Sequence, residues 1–319
     1  MNKVKVLLRN RDFLFFLALA LGLLWGQAAL WTEQVMLPAL AVVMTLSTMA
    51  ISGSTFRSPR ALLTPALAGI AMSYAILGSI LIGLNHMIIR EEELWRGFVI
   101  VAAVPPAVAV IPFTGFLNGN VTFSLIGTLA AYLGALVITP LIALGFLGTS
   151  LVDPVKLSII MIELILLPLI VSRILIWTGM AARIEPIKGA ITNWSFFVVT
   201  YTVIGLNREV FLGQPLSLLP VAAIAAASTF LLGWVIERVC LLFRIDPDRI
   251  PSLVLLGTLK NYGLAAGLSL ALFSKQTAVP ATVSVFFLIV YIIWLGFKKR
   301  YSKTTSRLKK TRASVSLSA

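Results

Sequence analysis

PSLVLLGTLKNYGLAAGLSLALF, residues Pro251 to Phe273, is long enough to cross a bilayer, for which about 20 apolar residues suffice. Its middle nevertheless carries Lys260, Asn261 and Tyr262, set between Gly257 and the pair Gly263 and Gly267. A lysine at mid-membrane depth costs at least about 2.5–3.5 kcal/mol on insertion scales, so such residues face a bundle interior or a wet cavity. Glycines beside polar groups at that depth mark an interrupted helix, tolerated only where the freed backbone is buried in protein or lines water. This stretch is the leading candidate for the working part of the molecule.

Composition agrees with a membrane setting. Of 319 residues, 59% are hydrophobic and only 12% charged, and the mean hydropathy is +0.99. Those values exclude a soluble globule and indicate an all-α polytopic membrane protein. The net charge of +14 reads as lysines and arginines gathered on one side of a lipid bilayer, not as a nucleic-acid footprint. The single cysteine, Cys240, forbids an internal disulfide and forms no metal motif with His86, and no cofactor is called for. The basic N-terminus leads into a span-length apolar run without a small-residue cleavage site, so the first helix is expected to be retained.

Ten apolar segments follow in order, at about 13–31, 35–52, 62–84, 94–117, 121–147, 155–178, 188–206, 216–243, 251–273 and 278–297. An even number puts both termini on one face. Of the 26 lysines and arginines, 19 then fall on that face and 5 on the other, with Arg173 and Lys260 inside spans. The positive-inside rule places both termini in the cytoplasm of a multi-pass cell (inner) membrane protein. Residues 301–319 are basic and serine-rich with few apolar residues, and read as a disordered cytoplasmic tail near anionic headgroups.

The fourth segment, VIVAAVPPAVAVIPFTGFLNGN, is irregular too, with Pro105 and Pro106 in its middle and Pro112 further on. A proline removes a helix hydrogen bond and clashes with the preceding turn, so two breaks are expected here. The fourth and ninth of ten spans are equivalent positions in two five-span halves, 1–150 and 151–300. An odd number of spans per half makes the halves inverted. Interrupted segments at matching positions of inverted repeats point to a secondary transporter's midplane site, where half-helix ends present backbone dipoles to a charged substrate or ion.

The run from Pro105-Pro106 through Asn118-Gly119-Asn120, then Ser124 and Thr128, resembles the broken fourth and following fifth helices of the bile acid:sodium symporter family, CPGGTASN…RGN…S…T. GTLKNYGLAAGLSLALF resembles that family's EVGMQNSGLAAALA, with Asn261, Gly263, Leu264, Ala265 and Ala266 matched. The likeness covers nearly the whole chain. It implies a core of spans 3–5 and 8–10 with broken helices 4 and 9 crossing, and a panel of spans 1, 2, 6 and 7. A small organic anion would bind between core and panel and be carried by alternating access, near Pro105, Pro106, Thr114 and Asn261.

The departures bear on mechanism. Carried over position by position, Ser124 and Thr128 keep the hydroxyls of the family's sodium site. The serine-asparagine pair of the fourth helix becomes Val110 and Ile111, the ninth-helix glutamate becomes Leu256, its glutamine becomes Lys260, and the third-helix glutamine falls on Ser73. A cation site stripped of its carboxylate and given an ammonium should bind sodium poorly. Unit charges 4 Å apart repel by about 4 kcal/mol even at an effective dielectric of 20. Three readings of Lys260 stand side by side: a tethered ammonium in place of the sodium ion, a proton-coupling group, or a direct contact for the anion. Glu163, inside span six, is the other deep charge and is a candidate gating partner for Lys260, while Arg173 lies too far along the same helix for direct contact.

An enzyme is not expected: the aspartates beyond the N-terminal flank (Asp153, Asp246 and Asp248) lie in loops, and the one histidine lacks a zinc motif. In span seven, Thr200 and Thr202 either line a polar cavity or bond their own backbone, the second being favoured. Asp246-Pro247-Asp248 is expected to start the ninth helix. The charge asymmetry sets a direct test of orientation. Single cysteines at 57 and 310 should be shielded from an impermeant thiol reagent in intact cells, while one at 209 should label. The reverse pattern would overturn the orientation.

Overall fold

The structure, a computed structural model, describes residues 11–49, 59–213 and 215–316. The basic residues Lys3, Lys5, Arg9 and Arg57, used above for orientation, lie outside them. Among the described residues every regular element is helical. Seven helices are long and apolar enough to cross a bilayer: Gly26–Thr48, Leu62–Ile88, Val121–Leu147, Pro154–Trp177, Met180–Leu206, Pro215–Leu242 and Gln276–Lys299. Phe13–Leu24 and Tyr262–Leu272 are shorter apolar helices.

The first two helices depart from the expected boundaries. α1 (Arg11–Leu24) ends about seven residues before the expected end of the first span, and a 3-10 turn at Gly26–Ala28 leads at once into α2 (Ala29–Thr48). The turn sits where the chain presses on Gly205, since a side-chain carbon at Gly26 would meet the Gly205 carbonyl at 2.7 Å. Tyr201 donates a 2.6 Å hydrogen bond to the Trp25 carbonyl and satisfies the freed end of α1. The third rod comprises α3 (Pro59–Ile70), a π-helical stretch Ala71–Gly78, and α4 (Ser79–Ile88).

Next come α5 (Glu92–Ala103) and α6 (Val110–Phe116), then α7 (Val121–Leu147). With 12 residues α5 is only about 18 Å long, short of the roughly 30 Å hydrocarbon layer, so this crossing is made in two pieces. The break occurs once, at 104–109. Pro105 and Pro106 hold Val104 in an extended conformation, with φ −71° and ψ 156°. The second break expected at Pro112 does not form, because Pro112 falls in the first turn of α6, where the missing N–H is not needed. Residues Phe98 to Val104 are fully buried on every side, which makes the end of α5 the centre of the molecule.

The sixth crossing is α8 (Pro154–Met161), a π turn Ile162–Leu166 and α9 (Leu167–Trp177). α10 (Met180–Leu206) starts eight residues before the apolar segment read from the sequence, after Gly179 in the left-handed region at φ 74°. After a short α11 (Arg208–Gly213) come α12 (Leu219–Ala226), a third π turn Ala227–Leu231 and α13 (Leu232–Leu242). The ninth segment is broken as expected, into α14 (Ile250–Leu256) and α15 (Tyr262–Leu272). α16 (Val279–Ser316) closes the chain. It carries its helix through Ser316, where the sequence reading expects disorder from 301; residues 301–316 contain neither Gly nor Pro, and a helix already nucleated in the bilayer extends at little cost.

Two packing groups emerge. α10 lies along α1 and α2, and α9 packs on α2; separately, α3 and α5 pack on α7, and α12 and α15 on α16. α3 and α7 meet backbone to backbone at Gly69 and Gly127, where any side-chain carbon would strike the other chain.

Polar clasps fasten both broken helices at their outer ends. At one end Asn120 caps α7, its Oδ1 accepting from the Phe123 N–H at 2.9 Å, while its Nδ2 donates to Asp248 at 2.9 Å. Asp248 thus holds the neighbouring loop instead of capping α14, whose N-cap is Arg249, paired at 3.0 Å with Asp246. At the other end Glu93 accepts from Ser274 at 2.6 Å and from Thr277, tying α5 to the loop after α15. The Ser274 and Thr277 hydrogen bonds hold the Glu93 carboxyl below the usual carboxylate range. A depressed folded-state pKa contributes stability that is present above the unfolded value and lost as pH falls through the folded one. Glu93→Ala should therefore lower the unfolding temperature at neutral pH, and the gap between parent and variant should close on acidification below the usual carboxylate range. A pH-independent gap would contradict this account.

Candidate functional site

The two chain breaks meet at the centre of the molecule. The Ala107 N–H donates to the Leu259 carbonyl at 3.1 Å and the Asn261 N–H to the Pro105 carbonyl at 2.9 Å, so Pro106 and Lys260 form an antiparallel bridge. Each interruption satisfies backbone groups freed by the other, which is how non-helical backbone survives at this depth. Asn261 then caps α15, its Oδ1 accepting from the Leu264 N–H at 3.1 Å, and its Nδ2 donates to Tyr132 Oη at 2.9 Å.

Lys260 is fully buried, the one charged side chain buried among the described residues. Its Nζ donates to the Ala102 carbonyl at 2.8 Å, the Val104 carbonyl at 2.8 Å and Ser73 Oγ at 3.2 Å. It also lies 4.4 Å from the centre of the Tyr74 ring, whose hydroxyl donates to the Ala131 carbonyl at 3.0 Å. Three donors thus meet three acceptors, and an aromatic face takes the remaining side. The carbonyls belong to the C-terminal end of α5, the negative end of that helix. Ser73 and Tyr74 come from the π-helical stretch of the third rod, where the wider turn shifts side chains out of α-helical register.

This geometry corrects several expectations. Ser124 and Thr128 do not reach the ammonium. Ser124 Oγ instead shares a 2.6 Å hydrogen bond with Thr114 Oγ1, which also donates to the Val110 carbonyl at 2.8 Å. Thr128 Oγ1 is buried without a partner among the described residues, beside a cavity of about 20 Å3 lined also by Ile111 and Tyr132. Val110 is fully buried and Ile111 half-buried. Glu163 is not brought to Lys260: it is exposed on the outer side of its π turn, with no ion-pair partner among the described residues. Glu163 lies in a π turn, which alters the face on which a side chain emerges, and it stands on the exposed side.

A crevice of about 90 Å3 lies over the crossing, between α1, α2 and α10 on one side and α6, α15 and α16 on the other. Leu40, Met44, Val108, Phe113, Val199 and Leu288 make it mostly apolar. The polar residues of its lining are Thr200, Lys260, Asn261, Tyr262 and Thr282. Lys260 is itself among the lining residues, but its ammonium is hydrogen-bonded to Ala102, Val104 and Ser73, none of which lines the crevice. The two threonines of α10 divide: Thr202 donates to its own backbone at Val198, 2.7 Å, as expected, and pairs with Thr32 at 2.6 Å. Thr200 instead faces the crevice. Tyr132, which accepts from Asn261, and the α5 carbonyls, which accept from Lys260, were missed in the sequence, where neither carries a signal of its own.

The fold and site are those of a multi-pass helical membrane protein with a polar crossing of two broken helices at its centre. Over 218 residues, 67% of this chain and 67% of the relative, it is 25% identical to YocS of Bacillus subtilis (strain 168), described as an uncharacterized sodium-dependent transporter. No protein-family profile matches the chain. The chain is thus similar to a membrane transporter, and the similarity spans most of both proteins.

Removing the ammonium should be costly. Lys260→Ala leaves Ala102, Val104 and Ser73 with buried unpaired acceptors, at about 1–3 kcal/mol each. Lys260→Met fills the volume but donates nothing and should be destabilised as well, which separates the charge from its packing. Thermal unfolding of both variants checks this; parent-like stability in Lys260→Met would mean that the ammonium holds nothing together.

Proposed function

We propose that this protein is a secondary transporter that carries a small organic anion across the membrane by alternating access. The observation that carries the reading is the crossing of Pro105–Ala107 with Leu259–Asn261, with the Lys260 ammonium fixed beneath it. In this reading α5–α6 and α14–α15 are the fourth and ninth of ten crossings in two inverted five-helix repeats, 1–150 and 151–300. The group around α7 and α16 acts as the core, and α1, α2, α9 and α10 as the panel that rocks against it. Both termini are cytoplasmic. The protein acts as a carrier and not as an enzyme.

Lys260 acts as a built-in cation. Its three acceptors form the kind of oxygen cage that a hard monovalent ion takes, and its tether prevents it from leaving with the cargo. Transport is then independent of sodium, either as uniport or coupled to protons. The fixed positive charge below the crevice floor, together with the N-terminus of α15, makes an anion the favoured cargo. The name of the Bacillus relative favours a second reading, sodium-coupled symport. Ser124, Thr114 and the unpartnered Thr128 hydroxyl are the oxygens that such an ion would use.

Replacing sodium by choline at fixed ionic strength separates the two readings. Counterflow in proteoliposomes should be unchanged; a steep loss would establish the symporter. As a complement, Lys260→Gln with Leu256→Glu, Val110→Ser and Ile111→Asn should gain sodium-dependent thermal stabilisation absent from the parent, since a ligand bound only by the folded state stabilises it by mass action.

A further inference from the structure

The crevice continues beyond Phe113. Phe15, Phe113 and Leu288 also line a second cavity of about 270 Å3, which runs on between α1, α6 and α16. Its other wall residues are all apolar, among them Pro112, Ile289, Ile292 and Phe297. Exposed apolar side chains flank the groove: Phe16, on the shorter apolar helix Phe13–Leu24, is 71% exposed, and Phe297 and Ile293, on the span Gln276–Lys299, are 64% and 46% exposed. Such a surface is stable against lipid tails and not against water, so the groove's open side faces the bilayer. At its far end the Lys299 ammonium donates to the Phe116 carbonyl and, at 3.0 Å, to Asn118 Oδ1, and lies 5.2 Å from the Phe116 ring centre.

The near end is different in kind. Thr200 is only 5% exposed, lines the crevice, and has no hydrogen-bond partner for its hydroxyl among the described residues. Across from it, the Gly263 N–H has no backbone acceptor, because it lies in the first turn of α15, where N–H groups lack an intrahelical partner. Thr200 and Gly263 both line the inner end of this largely apolar passage. Buried donors of this kind are costly unless a ligand supplies the acceptor. A helix N-terminus with a fixed ammonium behind it favours an acceptor that carries negative charge.

We propose that the cargo is a straight-chain monocarboxylate that enters sideways from the leaflet on the basic side. Its carboxylate accepts from the Thr200 hydroxyl and the Gly263 N–H, and its alkyl chain lies in the groove between α1, α6 and α16. This deepens the carrier reading above and rests on it. A short hydrophilic acid would satisfy the two donors and leave the groove unused. A chain that fills the groove adds apolar burial with each methylene.

Butanoate, octanoate and dodecanoate binding to the protein in nanodiscs, corrected for partition into protein-free discs, tests this. Affinity should rise about three- to fourfold per added methylene. Thr200→Val should weaken all three acids alike. Ile289→Trp and Ile293→Trp, the second at a lipid-facing position that tolerates bulk, should flatten the dependence beyond octanoate at parent-like thermal stability. Affinity independent of chain length, or a slope unchanged in both tryptophan variants, would overturn the proposal. Chain-dependent binding without counterflow of the bound acid would sink the carrier reading and leave this site in place. Counterflow of butanoate with no chain dependence would do the reverse.

Discussion

A single buried ammonium holds the centre of this protein together. Carrying an isolated charge into a low-dielectric interior is prohibitively costly, so Lys260 is stable only because three acceptors and an aromatic face surround it. The dependence runs in both directions. The α5 carbonyls at Ala102 and Val104 lose their helical donors where Pro105 and Pro106 interrupt the chain, and the lysine supplies replacements from the other broken segment. Each half of the crossing is thus tolerable in the membrane because of the other half.

The surroundings follow from that constraint. The third rod must widen into a π-helix to bring Ser73 and Tyr74 to the ammonium, and α7 must approach α3 closely enough to place Ala131 against Tyr74. The clasps at Asn120 and Glu93 fix the outer ends of the broken helices, so bending is confined to their inner ends. What remains mobile in principle is the boundary between the packing group of α10 and that of α7 and α16. The crevice, with Thr200 on one wall and Asn261 on the other, lies along that boundary.

Much of this was legible in residue order. Lys260 and Asn261 between glycines, and the proline pair at 105–106, announced both interruptions, because a bilayer penalises polar groups and unsatisfied backbone by sequence position alone. Pro112 misled, since a proline's effect depends on whether its N–H would have been used, and in a first turn it would not. Glu163 misled for a related reason: a π turn changes the face on which a residue emerges, and nothing local in IELIL announces one. The α1–α2 turn came about seven residues early because Gly26 answers to Gly205, which is distant in sequence.

Residue order by itself determined that the chain spans a membrane as helices, where two of them break, and that a charge lies within. These are properties of segments, set by transfer of each side chain and peptide group between water and lipid. The tertiary structure alone decided what the charge touches. Lys260 could have faced the crevice, Glu163 or the Ser124–Thr128 hydroxyls. It faces Ala102, Val104 and Ser73, because those acceptors belong to a helix end and a π turn that packing brings within 3.2 Å. Hydrogen-bond partners at such range depend on the meeting of segments nearly 190 residues apart, and that meeting is not encoded in any one of them.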